Sequence, residues 1–292
     1  MDAGPRHHQA RAALAVTAAG ACVPRDGDDT MSAVVPFLRV PKTRKFMGKQ
    51  DRMAVIAAGR ALAGVDLPAE ARIRTGFYLA VGFIPFERPE IETLAEHSAE
   101  AGAFSMARFS GEAIHRVNPL LTFRCLPNMP MFHVSANFGV MGGYLVTYPG
   151  AGQLYVALQE AACALEAGEI DRALVGGVAD QDNFLVEFGL RRSPPCDGAR
   201  PVDAAAFVLL EREADARARG VTPGLRLTAL DVAYNPREEA THEETPNAGG
   251  HDYFGPASLP MALTEAFRER RSLRHRVTTR DGFDAASTWE AA

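Results

Sequence analysis

The segment YLVTYPGAGQLYVALQEAACALEAGEIDRALVGG, residues 144–177, constrains the fold more than any other part of the chain. Its apolar residues run together, then recur at helical spacing, then run together again, with Pro149-Gly150-Ala151-Gly152 and Gly168 at the joints. That pattern predicts a strand at 144–148, a helix at 152–167 and a strand at 172–178. Leu154, Ala157, Leu158, Ala161, Ala162 and Leu165 cover most of the helix circumference, so the helix is expected to be buried. Gly168 follows it as the C′ residue. A sharp Gly turn that brings a helix N-terminus to the end of a strand is where α/β enzymes place a nucleophile or a phosphate. Here the residue at the turn is Ala151.

The same alternation extends to both sides. Strands are expected at about 13–19, 74–83, 202–211 and 224–234, with a last one in HRVTTR (275–280). Helices are expected at 52–62, through much of 90–116, and at 258–271 with Ser258 as N-cap and Pro260 in the first turn. READARARG predicts a short exposed helix. Residues 118–143 mix short apolar pieces with Pro and Gly turns, and 235–255 form a polar loop. Alternating strands and helices argue for an α/β fold. Residues 1–12 are expected to be disordered, and 13–292 to form one domain in two parts, 13–200 and 201–292.

Composition excludes several functions. A net charge of −5 argues against a nucleic-acid surface. The four cysteines, Cys22, Cys125, Cys163 and Cys196, form no C-x-x-C pair, which argues against a zinc knuckle and fits a reducing cytoplasm. Cys125 and Cys163 are expected to be buried hydrophobes. THEETP (241–246) fails as a zinc motif because Pro246 stands where the second His is required. No metal and no cofactor is expected. No apolar run approaches the roughly 18 residues of a membrane span. RAALAVTAAGAC (11–22) resembles a short signal or, at Ala19-Gly20-Ala21-Cys22, a lipoprotein cleavage box, but its broken apolar core favours a buried first strand.

Three readings of the Gly turn compete. Gly150-Ala151-Gly152 between strand and helix fits a dinucleotide site, but Tyr155 replaces the third Gly and Asp171 precedes the next strand instead of ending it. A hydrolase nucleophile elbow needs G-x-S-x-G, which does not occur. The third reading rests on resemblance. Asn128-Met129, His133, Gly139, Gly142, the 144–148 strand, the buried helix and Gly176-Gly177 follow one another as in the β-ketoacyl-ACP synthases of the thiolase superfamily. The intervals from Asn128 to Ala151 and from Ala151 to Gly176 match that family without a gap and place its active-site cysteine on Ala151. ALAVTAAGACVP resembles the family's first strand, RKFMGKQDRMAVIAAGRAL its first helix, and GARPVDAAAFVLLEREADARARG the segment entering its second half. The resemblance covers roughly 12–235 and implies a thiolase-like layered αβαβα fold with a truncated second half, because the chain is about a hundred residues shorter than a full synthase.

The resemblance also implies what is missing. Ketosynthases use a thiolate at the helix N-terminus and two histidines. Ala151 removes the thiolate, and no H-G-T-G segment occurs for the first histidine. Gly250-His251 before DYFGPASLPMALTEAF resembles the second histidine region, with Pro246 in place of its lysine; His251 is a possible remnant. DGFDAA retains only the Gly-Phe of the family's C-terminal G-F-G-G. The implied function is a non-catalytic, chain-length-factor-like subunit. It would pair as a heterodimer with a catalytic ketosynthase and serve acyl carrier protein in fatty-acid, polyketide or aryl-polyene assembly. Chain-length factors often carry Gln where this chain has Ala151. Met129, Met131, Phe132, His133, Phe138 and Met141 are candidates to line the partner's acyl tunnel or the interface, against the plainer reading that they are core. Arg268, Arg270, Arg271, Arg274 and Arg276 form a cluster that either docks an acidic carrier or answers a helix C-terminus. The alternative is an enzyme that acts on carrier-bound acyl chains through His251 or His133; a third reading is a self-associating α/β binding protein.

Overall fold

A computed structural model describes residues 6–8, 13–25, 27–124, 126–192, 199–235, 243–244, 252–279 and 282–292. Eight strands carry the fold: β1 Leu14–Cys22, β2 Thr75–Val81, β3 Tyr144–Thr147, β4 Arg172–Ala179, β5 Ala204–Arg212, β6 Leu225–Tyr234, β7 Leu273–Thr278 and β8 Phe283–Ala291. The longer helices are α1 Lys49–Ala61, α2 Arg88–Ser98, α3 Met129–Phe138, α4 Ala151–Glu166, α5 Phe184–Arg192 and α6 Ser258–Glu269. The strands form one sheet in the order β7-β8-β6-β1-β5-β4-β2-β3, extended beside β7 by residues 243–244. Strands β4, β2 and β3 are parallel neighbours, and the other pairings are antiparallel. Residues 6–8, inside the segment expected to be disordered, pair with 230–232.

Strands β2, β4 and β5 are buried along nearly their whole length, which their unbroken apolar runs require: both faces are covered. On the outer face, α1 and α3 close a core of Met53, Ile56, Phe77, Leu79 and Phe207. On the inner face, α4 and α6 close a second core around Leu154, Leu158 and Leu263. Strands β6, β7 and β8 then cover the far side of α4 and α6 with Leu227, Val277 and Trp289. Their opposite face presents Thr228, Arg274, Arg276 and Glu290 to solvent. The arrangement is therefore α, β, α, β, and among the described residues the second outer helix layer is missing.

Local expectations hold for most elements and fail at instructive places. RAALAVTAAGAC contains β1, in the middle of the sheet. Residues 129–138, expected to be broken by turns, form α3: Pro130 sits in its first turn, where a missing N–H is harmless, and Gly139 ends it at φ 72°. Ser258 is not an N-cap. A 3₁₀ turn at Gly255–Ala257 leads directly into α6, so Ser258 is its first residue, buried, and its Oγ has no partner among the described residues. Cys163 is exposed, contrary to expectation, because it falls on the one stripe of α4 that no sheet covers. Cys125 lies outside the described residues.

Candidate functional site

Gly150, at φ +112° and ψ 161°, turns the chain from β3 into α4 through a backbone conformation closed to most L-residues. Ala151 is the first residue of the helix and is buried. No side chain caps the first turn, so its backbone N–H groups keep the positive end of the helix dipole where a thiolate would be favoured. Thr147 spends its hydroxyl on the Gln153 carbonyl, donating at 3.0 Å. Phe283, at the start of β8, closes the turn from the other side: a Cβ on Gly152 would lie 2.7 Å from the Phe283 Cβ. Tyr234 packs on the Phe283 ring at 5.2 Å between centroids. The Gly255–Ala257 turn lies against β4 so closely that a Cβ on Gly177 would sit 2.0 Å from the Pro256 carbonyl. The described thiols are elsewhere. Cys22 belongs to the outer core, where burial raises its pKa, and Cys163 lies three turns along α4. His251 lies outside the described residues.

The other sequence candidates occupy the opposite face of the sheet. Met131 is buried in the outer core, Phe138 packs on that core, and Met129 is half-buried. Phe132 and Met141 are 57% and 59% exposed. His133 is buried against α1, its Nε2 3.8 Å from Asp51 Oδ2 and without a hydrogen-bond partner among the described residues. Asp51 Oδ2 instead accepts the Gly48 N–H at 2.7 Å. Burial pushes His133 down to about 4 and Asp51 up to about 7. The pair is thus largely uncharged between those values, and His133 stands apart from Ala151. The basic cluster sits at the end of α6 and on β7. Arg270 takes the left-handed cap position at φ 52°, Arg271 pairs with Glu269 at 2.5 Å, and Arg276 with Asp284 at 3.0 Å.

A larger site escaped the sequence reading. A cleft of about 950 Å³ opens at the carboxyl ends of β2 and β4, between Met47–Arg52, Pro85–Pro89 and Asp180–Glu187, and Ala151 does not line it. Lys49 and Asp180 line the cleft and form an ion triad with Asp203, which lies outside the lining. Lys49 Nζ lies 3.1 Å from Asp180 Oδ1 and 2.6 Å from Asp203 Oδ2. Burial, reinforced by the Asp203 carboxylate, lifts Asp180 to about 6 against the pull of Lys49. Burial opposes the Lys49 charge, but the two carboxylates outweigh it and its pKa is raised. Arg124 ties one wall together, 3.0 Å from Glu87 Oε1 and 2.8 Å from Glu90 Oε1. The faint sequence signal was a carboxylate beyond β4 and another ahead of β5, with a lysine opening α1.

The β-ketoacyl synthase N-terminal domain model matches residues 8–184. The chain belongs to the β-ketoacyl synthase family. Solved structures agree on the fold. The complex of a type II polyketide acyl carrier protein with its ketosynthase bound to the hexaketide, AntDE:AntF, is 15% identical with a TM-score of 0.74, covering 97% of this chain and 100% of that one. A β-ketoacyl synthase from Burkholderia phymatum STM815 is 13% identical with a TM-score of 0.69, covering 96% and 100%. The ishigamide ketosynthase/chain length factor is 14% identical with a TM-score of 0.69, covering 97% and 100%. Among curated proteins none matches the chain.

Proposed function

We propose that this ketosynthase-fold chain is a non-catalytic subunit, like a chain length factor, that pairs with a catalytic β-ketoacyl-ACP synthase acting on carrier-bound acyl chains. The observation that carries the reading is Ala151: the turn, the uncapped helix start and the surrounding packing of a nucleophile site are kept around a methyl group. Loss of a covalent nucleophile typically lowers a rate by several orders of magnitude, so inherited condensation chemistry is not the role. His133 does not replace it, being neutral near pH 7 and on the other face of the sheet.

The pairing surface we infer is the open edge of the sheet. Strand β3 is its terminal strand, with one row of backbone groups unused by the sheet. Met141 and Tyr144 beside it are 59% and 75% exposed, and Phe132 on α3 is 57% exposed. These are the candidates that could reach a partner; Met131 and Phe138 would support them from the core. Two neighbours in fold, a ketosynthase with its carrier protein and a ketosynthase/chain length factor, are consistent with a subunit of such an assembly.

Co-expression with ketosynthases encoded beside the gene, read by native mass spectrometry, tests the reading. A one-to-one heterodimer is expected, and the double variant Met141→Lys, Tyr144→Lys should weaken it about 10- to 100-fold with the monomer still folded. A stable homodimer that ignores every synthase, or turnover of acyl carrier protein by the isolated chain, would overturn it.

A further inference from the structure

The cleft beside α1 lies where the chain's topology parts. Strands β2 and β4 are parallel neighbours, but the chain leaving β2 goes on to β3 on one side, and the chain leaving β4 goes on to β5 on the other. Diverging connections leave a crevice outside the carboxyl ends of such strands, and open α/β sheets bind ligands there. In this chain the crevice is large, at about 950 Å³, near the upper end of the range for small-molecule sites.

Its walls are held open. The Lys49–Asp180–Asp203 triad fixes the start of α1 to the end of β4, and Arg124 fixes the 87–90 wall. These charges answer one another, so they shape the site without being free to bind. Arg52 is different. It lines the cleft half-buried, its Nε donates to Thr30 Oγ1 at 2.9 Å and its Nη1 to the Met47 carbonyl at 2.7 Å. It forms no ion pair among the described residues; burial lowers its pKa, outweighing Asp51, Asp180 and Asp29, which favour its charge from a distance. The first turns of α1, α2 and α5 also open on the cleft; Asp51 caps that of α1 and Asn183 that of α5, while that of α2 accepts no side-chain cap. Beside this positive end stand Phe86, Phe184, Val186 and Leu190.

We propose that the cleft binds a small organic anion, a carboxylate or phosphate joined to an apolar body, with the anion at Arg52 and the body against Phe86, Phe184 and Leu190. The site is separate from the turn at Ala151 and does not rest on the proposed pairing. It requires no chemistry, only recognition: one charge-assisted contact and one apolar wall.

The test uses the full chain, with octanoate, octyl phosphate and uncharged 1-octanol as probes in isothermal titration calorimetry. At least one of the two anions is expected to bind at a single site, with octanol about tenfold weaker or more. Arg52→Gln should weaken the anion about tenfold and leave octanol unchanged; Phe184→Ala should weaken both. Ile73→Ser, at the amino end of β2, should change neither. Because Arg52→Gln could unsettle α1, the site is also located directly, by mass-spectrometric mapping of cross-links from a diazirine-bearing octanoate. Adducts within 83–89 or 180–191 support the proposal. It is overturned if neither anion binds, if octanol binds as tightly as they do, or if the adducts cluster at β3 or Phe283.

Discussion

Two places at the carboxyl end of the same parallel strands are built in opposite ways. At the start of α4, Ala151 is buried, with Phe283 packed on the adjoining Gly152, Tyr234 on the Phe283 ring and the Gly255–Ala257 turn against Gly177. At the start of α1, on the other face of the sheet, Lys49, Asp180, Asp203 and Arg124 keep a wide polar cleft. Both are helix N-termini, yet one is packed with apolar groups and the other is braced by ion pairs. The difference teaches that a Gly turn at a helix start can be held by packing alone, whereas an open cleft is held by paired charges.

The sealed side should respond most strongly to lost volume. Trp289 is fully buried over the inner core, its Nε1 donating to Ser287 Oγ at 2.9 Å. Trp289→Ala should destabilise the chain by about 3–5 kcal/mol in denaturant unfolding. A loss under about 1 kcal/mol would mean that β8 does not close this layer.

On the other face the response should be one of charge. Asp51 is raised in the folded state to about 7, so it favours folding most below its unfolded value and loses that contribution as pH rises toward 7. Asp51→Asn keeps an acceptor for the Gly48 N–H without the charge. It should match the wild type near pH 4 and exceed it at pH 8 by roughly 2–4 kcal/mol. His133, lowered to about 4, contributes the opposite slope between its unfolded and folded values, and is common to both proteins. Equal stability of the two proteins at pH 8 would show that Asp51 is not held against its charge.

The smallest effect is kinetic. A cysteine at 151 should alkylate with iodoacetamide about tenfold more slowly than exposed Cys163, despite the helix dipole, because the position is buried and Phe283 packs on the adjoining Gly152. Removing the ring, in Ala151→Cys with Phe283→Ala, should reverse the order. Fast labelling of the single variant would mean that the turn is open.

The sequence showed the sheet where a strand buried on both faces must be uniformly apolar, as in β2, β4 and β5. It showed α4 through helical spacing and Gly168. Strand β8 was missed because its buried positions are Ala285, Ser287 and Trp289, small or polar residues that make no apolar run. Helix α3 was missed because Pro130 and Gly139, which delimit it, look like turn residues in isolation. The turn and helix start at Ala151 were legible because the residues that make them are close in the chain. The cleft was not, since Lys49, Arg124, Asp180 and Asp203 meet only after the crossovers are made.

The sheet has consequences for assembly that can be put in the language of polymer chemistry. At one end stands β3 with its outer edge bare; at the other, the two-residue strand 243–244 lies over β7. A monomer that could extend through both ends would be bifunctional and could grow without limit. Among the described residues, the four residues of β3 form one bare edge, and the strand at 243–244 blocks Val277 and Thr278 at the other. The pairing proposed above would consume the β3 edge at the first partner, giving a closed pair in place of a fibre.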